Sequence, residues 1–473
     1  MGLALAAAPQ AQAEPPAAGI LVIPGDESAT GAAAALSERA NAQGQVRVIV
    51  GLSEEMADEQ TLAPAAVKGQ RARLRSAQQA VLAHLGNAVK TGEKRTSTPE
   101  ATASGVDGVT LFDTIPFLAL NTDAASLQVL LSAPGVASVQ EDVPVPPTLL
   151  QSVPLIKADQ AAALGFSGTG QVVAVLDTGV YKTHPMLTGK VVSEACYSST
   201  VAGQSTSQCP GGAASSTAVG SGVNCPTSIA GCDHGTHVAS IAVGNASNIK
   251  GVASGARLIA IQVFSRFTTS TYCGSQTPCI LSYTSDFTKG LERVYALRNT
   301  YSIASANLSL GGGSYPTKCD AQVPATTAII KKLRNAKIAT AIASGNNGYN
   351  GFVSSPGCIS AAVTVGSTTK SDTLSWFSNH AKLVDLLAPG ESILAAVPGG
   401  GLAIKSGTSM ATPHVAGAFA ILKQAKPTAT ITELQNALSC TGKPIAPRGG
   451  VSKRRIDVLA ALNVVRSPAT GCN

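Results

Sequence analysis

Three segments of this chain carry side chains that could act together on a carbonyl group. Val173-Ala-Val-Leu-Asp177-Thr-Gly-Val180 brings a carboxylate to the end of an apolar run, and His234-Gly-Thr-His-Val-Ala-Ser240 opens a helical pattern with an imidazole. Gly407-Thr-Ser-Met-Ala-Thr-Pro-His-Val-Ala-Gly417 puts Ser409 where a helix begins, and Pro413 is tolerable there because first-turn amides lack intrahelical partners. A hydroxyl is a poor nucleophile until a neighbouring imidazole takes its proton, and a carboxylate fixes that imidazole's tautomer. The free N–H groups and positive dipole end of a helix N-terminus suit a developing oxyanion. Taken singly, each segment has a plain structural reading: a turn aspartate, a packed histidine, a capping serine. Taken together they are what acyl transfer needs.

Chain order narrows the chemistry. The six histidines are His84, His184, His234, His237, His380 and His414. A nucleophile elbow at Ser409 would need an acid and then a histidine after it, but only His414 follows and no acid lies between. The order Asp177, His234, Ser409 therefore remains. A fourth segment, Ala343-Ser-Gly-Asn-Asn-Gly348, ends another apolar run, and a carboxamide there could donate to an oxyanion beside the backbone N–H of Ser409. Its plain reading is a turn.

The elements around these segments alternate. Val172–Leu176, Leu258–Phe264, Ala304–Leu310, Ile338–Ser344, Ala362–Val365 and Val384–Leu387 read as buried parallel strands. Helical patterns occupy His234–Val243, Thr284–Arg298, Ala325–Ala336 and Thr412–Ala425. This is the pattern of a doubly wound α/β sheet, whose ligands sit outside the carboxyl ends of the strands. Before Gln151 the chain reads differently. Residues 14–45 look like a linker rich in Ala, Pro, Gly and Ser. Beyond it come a strand at Val46–Leu52, a helix at Ala65–Leu85, a polar loop at Lys90–Asp107 and a strand or hairpin at Val109–Leu120. A helix capped by Asp123 and a strand at Val136–Val139 complete a small α+β unit.

Composition separates the same two parts. At 473 residues the chain exceeds one ordinary domain. All ten cysteines lie between Cys196 and Cys472, which reads as disulfides and an oxidising compartment, and no C-x₂-C pair offers a zinc site. The sequence leaves the pairing open. Short loops favour Cys225–Cys232 and Cys273–Cys279, and Cys196–Cys209, Cys319–Cys358 and Cys440–Cys472 are adopted for the rest. Residues 1–149 carry 9 Lys+Arg against 15 Asp+Glu and residues 150–473 carry 25 against 12, so nets of −6 and +13 make up the chain's +7. Oppositely charged blocks can dock on one another. No basic run has interleaved aromatics, which argues against nucleic acid. No run of 18 apolar residues follows the N-terminus, which argues against a membrane span. Leu3–Ala8 and Ala11-Gln-Ala13 have the look of a truncated signal peptide, residues 1–13.

These segments resemble the signatures of the subtilisin-like serine peptidases, the subtilases, over essentially all of residues 150–473. The resemblance implies a mostly parallel seven-stranded α/β sheet with helices on both faces, Asp177, His234 and Ser409 as catalytic triad, and Asn346 as oxyanion donor. Asn307-Leu-Ser-Leu-Gly-Gly312 is similar to the family's substrate strand, so Ser309, Leu310 and Gly311 would pair with an extended peptide. Residues 46–142 resemble the family's inhibitor propeptide, a small ferredoxin-like α+β domain that assists folding, covers the cleft and is then removed. Leu150-Gln-Ser-Val-Pro154 resembles the start of mature members, so cleavage is expected near Leu149–Leu150.

Two departures stand out. Met186 occupies the place where many relatives carry a calcium-binding Asp, and a thioether is a poor ligand for a hard cation. No cofactor is expected to be required and no metal ligand is assigned; calcium binding is left open, with the usual strong site altered at Met186. The 57 positions from Asp177 to His234 read as an inserted surface loop pinned by disulfides. The expected whole is a secreted, extracellular or periplasmic, monomeric serine endopeptidase acting on polypeptides, with its own propeptide, residues 46–142, as partner. The alternatives are a non-catalytic binding scaffold, which would have lost a triad residue, and an acyl transferase or peptide ligase using the same acyl-enzyme.

Overall fold

A computed structural model of the chain describes residues 20–24, 29–91, 106–142, 144–145, 152–247, 249–467 and 472. The leader expected at 1–13, most of the loop expected at Lys90–Asp107 and the cut expected near Leu149–Leu150 lie outside these residues.

The amino-terminal unit begins with β1 (Leu21–Val22), α1 (Ala29–Gln43), β2 (Val46–Leu52) and α2 (Pro64–Thr91). It continues with β3 (Val106–Leu111), β4 (Phe117–Thr122), α3 (Ala124–Leu131) and β5 (Val136–Glu141). The strands form one antiparallel sheet in the order β1-β5-β2-β4-β3. Strand periodicity sends Val48 and Val50 into a core shared with Leu74, Leu127 and Leu130, while Ile49 between them faces the other way. Asp123 caps α3, accepting from Ser126 N at 2.7 Å.

Within the stretch expected as a linker, 14–45, the described residues are folded. The stretch contains β1 and α1, and Leu36 and Ala40 of α1 are buried in the core of this unit. Alanine lowers the apparent order of a sequence read by composition, yet it is the best helix former, so an Ala-rich stretch with two core anchors folds.

The larger unit opens with β6 (Pro144–Val145), α4 (Ala158–Ala163), β7 (Val172–Asp177), β8 (Val191–Tyr197), β9 (Ser205–Ser207) and β10 (Ser215–Ser216). Next come α5 (His234–Val243), β11 (Arg257–Gln262), β12 (Ser265–Phe267), α6 (Ser270–Cys273), β13 (Cys279–Tyr283) and α7 (Thr284–Ala296). They are followed by β14 (Ile303–Leu308), β15 (Gly312–Tyr315), α8 (Pro324–Asn335), β16 (Ala339–Ala343), β17 (Val353–Ser355) and β18 (Val363–Thr368). Then come β19 (Leu386–Pro389), β20 (Ile393–Ala396), β21 (Leu402–Lys405) and α9 (Thr408–Ala425). Last are α10 (Ile431–Thr441), β22 (Lys443–Pro444), β23 (Arg454–Arg455) and α11 (Val458–Arg466).

Seven parallel strands in the order β8-β11-β7-β14-β16-β18-β19 form its centre, extended at the edges by short β10, β23 and β22. Most of these strands are rich in apolar residues because both of their faces are covered. Val173 and Val175 of β7 pack with Val238 of α5 and Val415 and Phe419 of α9. Val172, Ala174 and Leu176 pack on the opposite face with Phe287 and Leu291 of α7 and Ile329 and Leu333 of α8. The disulfides are Cys196–Cys209, Cys225–Cys232, Cys273–Cys279, Cys319–Cys358 and Cys440–Cys472, the pairing adopted from the sequence.

The segment between Asp177 and His234 is only partly a surface loop. Its β8 is a strand of the central sheet, concealed in the sequence by Ser193 and Glu194; the Glu194 carboxylate is buried against Lys182 at 2.6 Å.

The two units pack through α7 and α8. Ile49, Phe112, Ile115 and Phe117 of the first join the apolar layer around those helices. Val145 and Pro144 of β6 pair antiparallel with Ser282 and Tyr283 of β13. Arg47 and Asp142, ion-paired at 2.8 Å and fully buried, both bond the Ser285 side chain at the start of α7.

Candidate active site

Asp177 ends β7, and His234 begins α5. Their side chains meet, His234 Nδ1 to Asp177 Oδ1, at 2.7 Å, and both are buried. A carboxylate can only accept, so Nδ1 is the donor of this bond, and the tautomer it selects is the one whose basic nitrogen is Nε2. The turn after Asp177 holds the arrangement. Thr178 N donates to Asp177 Oδ1 at 2.7 Å, and Thr178 Oγ1 accepts from Gly235 N at 2.9 Å. Gly235 is required for this approach: a β-carbon there would lie 2.3 Å from the Gly179 carbonyl and 3.1 Å from Asp177 Oδ1.

Ser409 is the second residue of α9, which packs on α5, β14, β16 and β18. Its Oγ donates to the carbonyl of Ser309 at 2.9 Å, and Ser309 Oγ donates back to the Ser409 carbonyl at 2.6 Å. Asn307 Nδ2 donates to Ser309 Oγ at 2.9 Å, and Ser305 Oγ to the Ala416 carbonyl at 2.8 Å, so β14 and α9 are laced together. Leu310 is buried beyond Ser309, and Gly311 precedes the Gly312–Ser355 pair of β15 and β17.

Asn346 follows β16. Its Oδ1 accepts from both Thr408 N and Thr408 Oγ1 at 2.8 Å. A backbone N–H can only donate, so the carboxamide is oriented without ambiguity and its NH₂ end is the one directed away from Thr408. Gly345 makes the sharp turn (φ +108°), and a β-carbon there would strike the side chains of Asn379 and Ser354 at 2.3 and 2.4 Å. Asn379 braces the loop, accepting from Asn347 N and Tyr349 N at 3.0 Å each.

The carboxyl ends of β7, β14 and β16 thus present Asp177, Ser309 and Asn346, and the N-termini of α5 and α9 present His234 and Ser409. That arrangement gathers at one edge of the sheet an imidazole held by a carboxylate, a hydroxyl at a helix N-terminus and an oriented amide, the kinds of group that acyl transfer uses. The other histidines nearby are different. Burial pushes the pKa of His237 down to about 2 and that of His414 to about 4, so both are neutral and serve to bond carbonyls, those of Ala403 and Met410. Thr178, Thr408 and Asn379 were missed by sequence reasoning. The first two sit inside the quoted motifs, where the sequence alone gives them no role of their own. Asn379 has no local signal, because its partners lie about thirty residues away along the chain.

Calcium can be tested against Met186. That side chain is buried in an apolar cluster beside a cavity of about 320 Å³, which is lined by Val153, Pro154, Ile241, Ile249 and Leu394. The charged groups on it are Asp159, Lys250 and Lys370. A thioether, two ammonium groups and one carboxylate do not fit a hard dication. Among the described residues no cluster of three or more His, Cys, Asp or Glu side chains could hold a metal ion.

The family model described as "Subtilase family" matches residues 168–454. The chain is 32% identical over 336 residues to an alkaline protease of Alkalihalobacillus alcalophilus, covering 70% of this chain and 75% of that protein. It is 30% identical over 352 residues to subtilisin E of Bacillus subtilis, covering 72% and 80%. Among solved structures, a cold-adapted subtilisin-like serine proteinase is 29% identical and covers 61% of this chain and 89% of its own, with a TM-score of 0.46.

Proposed function

This chain belongs to the subtilase family and is a serine-type endopeptidase, and from that premise we propose that Asp177, His234 and Ser409 are its catalytic triad. The buried 2.7 Å bond from His234 to Asp177 carries the reading. It fixes the tautomer in which Nε2 is free of its proton and serves as the base for Ser409 Oγ. Ser409 attacks the peptide carbonyl as its proton passes to His234. The tetrahedral oxyanion takes hydrogen bonds from the Asn346 carboxamide and the Ser409 N–H. His234 then gives the proton to the leaving amine, and water, activated by the same imidazole, releases the acyl group. Ser309, Leu310 and Gly311 offer backbone groups to the polypeptide, so that pairing holds the chain extended whatever its sequence.

The precursor reading is part of the proposal. Residues 46–142, together with α1 and β1, form the self-inhibiting propeptide of a secreted, monomeric enzyme, cut near Leu149–Leu150, and residues 150–473 form the peptidase. Supporting it are the burial of Arg47 and Asp142 against Ser285, the seating of β6 on β13, and cysteines confined to the second part, all of them in disulfides. The described residues include no helix long and apolar enough to cross a membrane. Ser409→Ala is expected to abolish both peptide hydrolysis and self-processing while circular dichroism remains that of the parent. Hydrolysis persisting in the purified variant would refute the assignment, and N-terminal sequencing of active enzyme that starts far from Leu150 would refute the cut.

A further inference from the structure

Trp376 is the only tryptophan of the chain, and it is 77% exposed. A single exposed apolar side chain needs no explanation by itself. Its mounting and its position do. Trp376 lies in the connection between β18 and β19, where Ser375 N donates to the Ser367 carbonyl at 3.0 Å and Ser367 N to Ser378 Oγ at 3.0 Å. The Arg448 guanidinium clamps the carbonyls of Ser375 and Ser378, each at 3.1 Å. The indole stands edge-on to Phe377, ring centres 5.7 Å apart. A large ring in water on so rigid a support loses little freedom when something covers it.

The support is also stitched to the loop of Asn346. Gly348 N donates to the Phe377 carbonyl at 2.7 Å, and His380 N to the Tyr349 carbonyl at 2.8 Å. Tyr349 and Phe352 pack edge to face on that loop, and Phe352 is itself 39% exposed. An aromatic surface therefore continues directly from the proposed oxyanion donor.

Strand order gives the surface its side. Pro144 and Val145, upstream of the expected cut, pair with β13, whose neighbour in the small sheet, β12, follows β11 in the chain. From β11 the sheet runs through β7 to β14, which leads to Ser309, then to β16, which leads to Asn346, then to β18, which leads to Trp376. A polypeptide whose upstream part lies at β13 and whose scissile carbonyl lies at Asn346 continues toward Trp376. We propose that Trp376 forms a subsite for a large apolar side chain within two residues after the scissile bond, and so sets specificity on the leaving-group side. This rests on the peptidase reading above. The expected cut agrees with it, since Leu150 is the first residue on that side.

The test uses processed enzyme and internally quenched peptides identical except for Phe or Gly in the two positions after the bond, alongside a p-nitroanilide that has no residue there. The parent prefers Phe. Trp376→Ala lowers the Phe-to-Gly ratio of kcat/KM by about tenfold, equivalent to about 1.4 kcal/mol, and Trp376→Phe retains most of it. Because Trp376 is the sole tryptophan, the Ser409→Ala protein, cut in trans by parent enzyme and separated from its amino-terminal unit, should show a blue-shifted emission with the Phe peptide and none with a peptide ending at the scissile residue. An unchanged ratio, or an equal fall on all three substrates, overturns the subsite. A parent enzyme that cleaves none of them overturns the peptidase reading instead, and the subsite with it.

Discussion

Glu292 offers a perturbation of the contact between the two units that leaves the proposed catalytic residues alone. It projects from α7 with its side chain only 4% exposed, and its carboxylate accepts three hydrogen bonds from the turn between β3 and β4. The donors are Asp113 N at 2.9 Å, Thr114 N at 2.7 Å and Thr114 Oγ1 at 2.7 Å. Lys289 pairs with the same carboxylate at 3.0 Å and independently reaches the Leu111 carbonyl at 2.6 Å and Asp113 at 2.9 Å. Glu292→Ala removes both acceptor oxygens and with them all three hydrogen bonds, and leaves Thr114 N–H buried without an acceptor. Truncating one side of a buried, hydrogen-bonded charged contact costs about 2–5 kcal/mol, which is roughly a 30- to several-thousand-fold loss of affinity. Once the connecting segment is cut, the amino-terminal unit is held by such contacts alone. The assay is dilution of freshly processed enzyme, following recovery of peptidolysis to obtain the inhibition constant and the release rate. Both should rise by that factor, while kcat and KM of the freed peptidase stay those of the parent. An inhibition constant within roughly threefold of the parent's would refute the reasoning, because the three bonds would then be worth less than one ordinary hydrogen bond.

The same interface should respond to pH. Burial pushes the Asp286 carboxyl up to about 6 and that of Asp142 upward as well, with Arg47 opposing the shift at both. Groups with raised pKa values bind protons more tightly when docked, so docking is strongest below the ordinary carboxylate range and weakens as pH rises to about 6. The inhibition constant should increase from pH 4.5 to 7, and Asp286→Asn should flatten the rise; a constant that falls with pH would contradict this. Gly235→Ala should lower kcat by on the order of 10²-fold through displacement of His234, with melting curves showing that the fold persists. Reductant should lower the melting temperature, each bridge being worth about 2–4 kcal/mol, whereas a chelator should leave it unchanged, and calorimetry with each additive separately would expose the reverse.

What was legible in the sequence was local and periodic. The run Val172–Leu176, the helix His234–Val243 and the opening of α9 all appear where apolar spacing and turn residues put them. What was not legible depended on partners far along the chain. The apolar pattern of β8 is broken by Ser193 and Glu194, and the buried Glu194 is made acceptable by Lys182 and the Gly220 N–H, both distant from it along the chain. α1 is so rich in alanine that its two core anchors, Leu36 and Ala40, left little periodicity to detect. The small sheet of β9, β12 and β13 gave no signal at all, and neither did Asn379 beneath the Asn346 loop. The charge blocks were a partial guide. Asp113–Lys289 follows their polarity, yet the most buried contacts run against it, with Arg47 supplied by the acidic unit and Glu292 by the basic one. Block charge describes steering over distance, whereas docking is decided by individual buried hydrogen bonds.

The central claim is that Ser409 Oγ becomes a nucleophile through His234, itself oriented by Asp177. A fluorophosphonate probe, applied to folded enzyme freed of its amino-terminal unit and followed by peptide mapping, tests that claim most directly. The adduct should lie on Ser409, disappear in Ser409→Ala and form far more slowly in His234→Ala; an adduct on another serine, or none on folded enzyme, would contradict it.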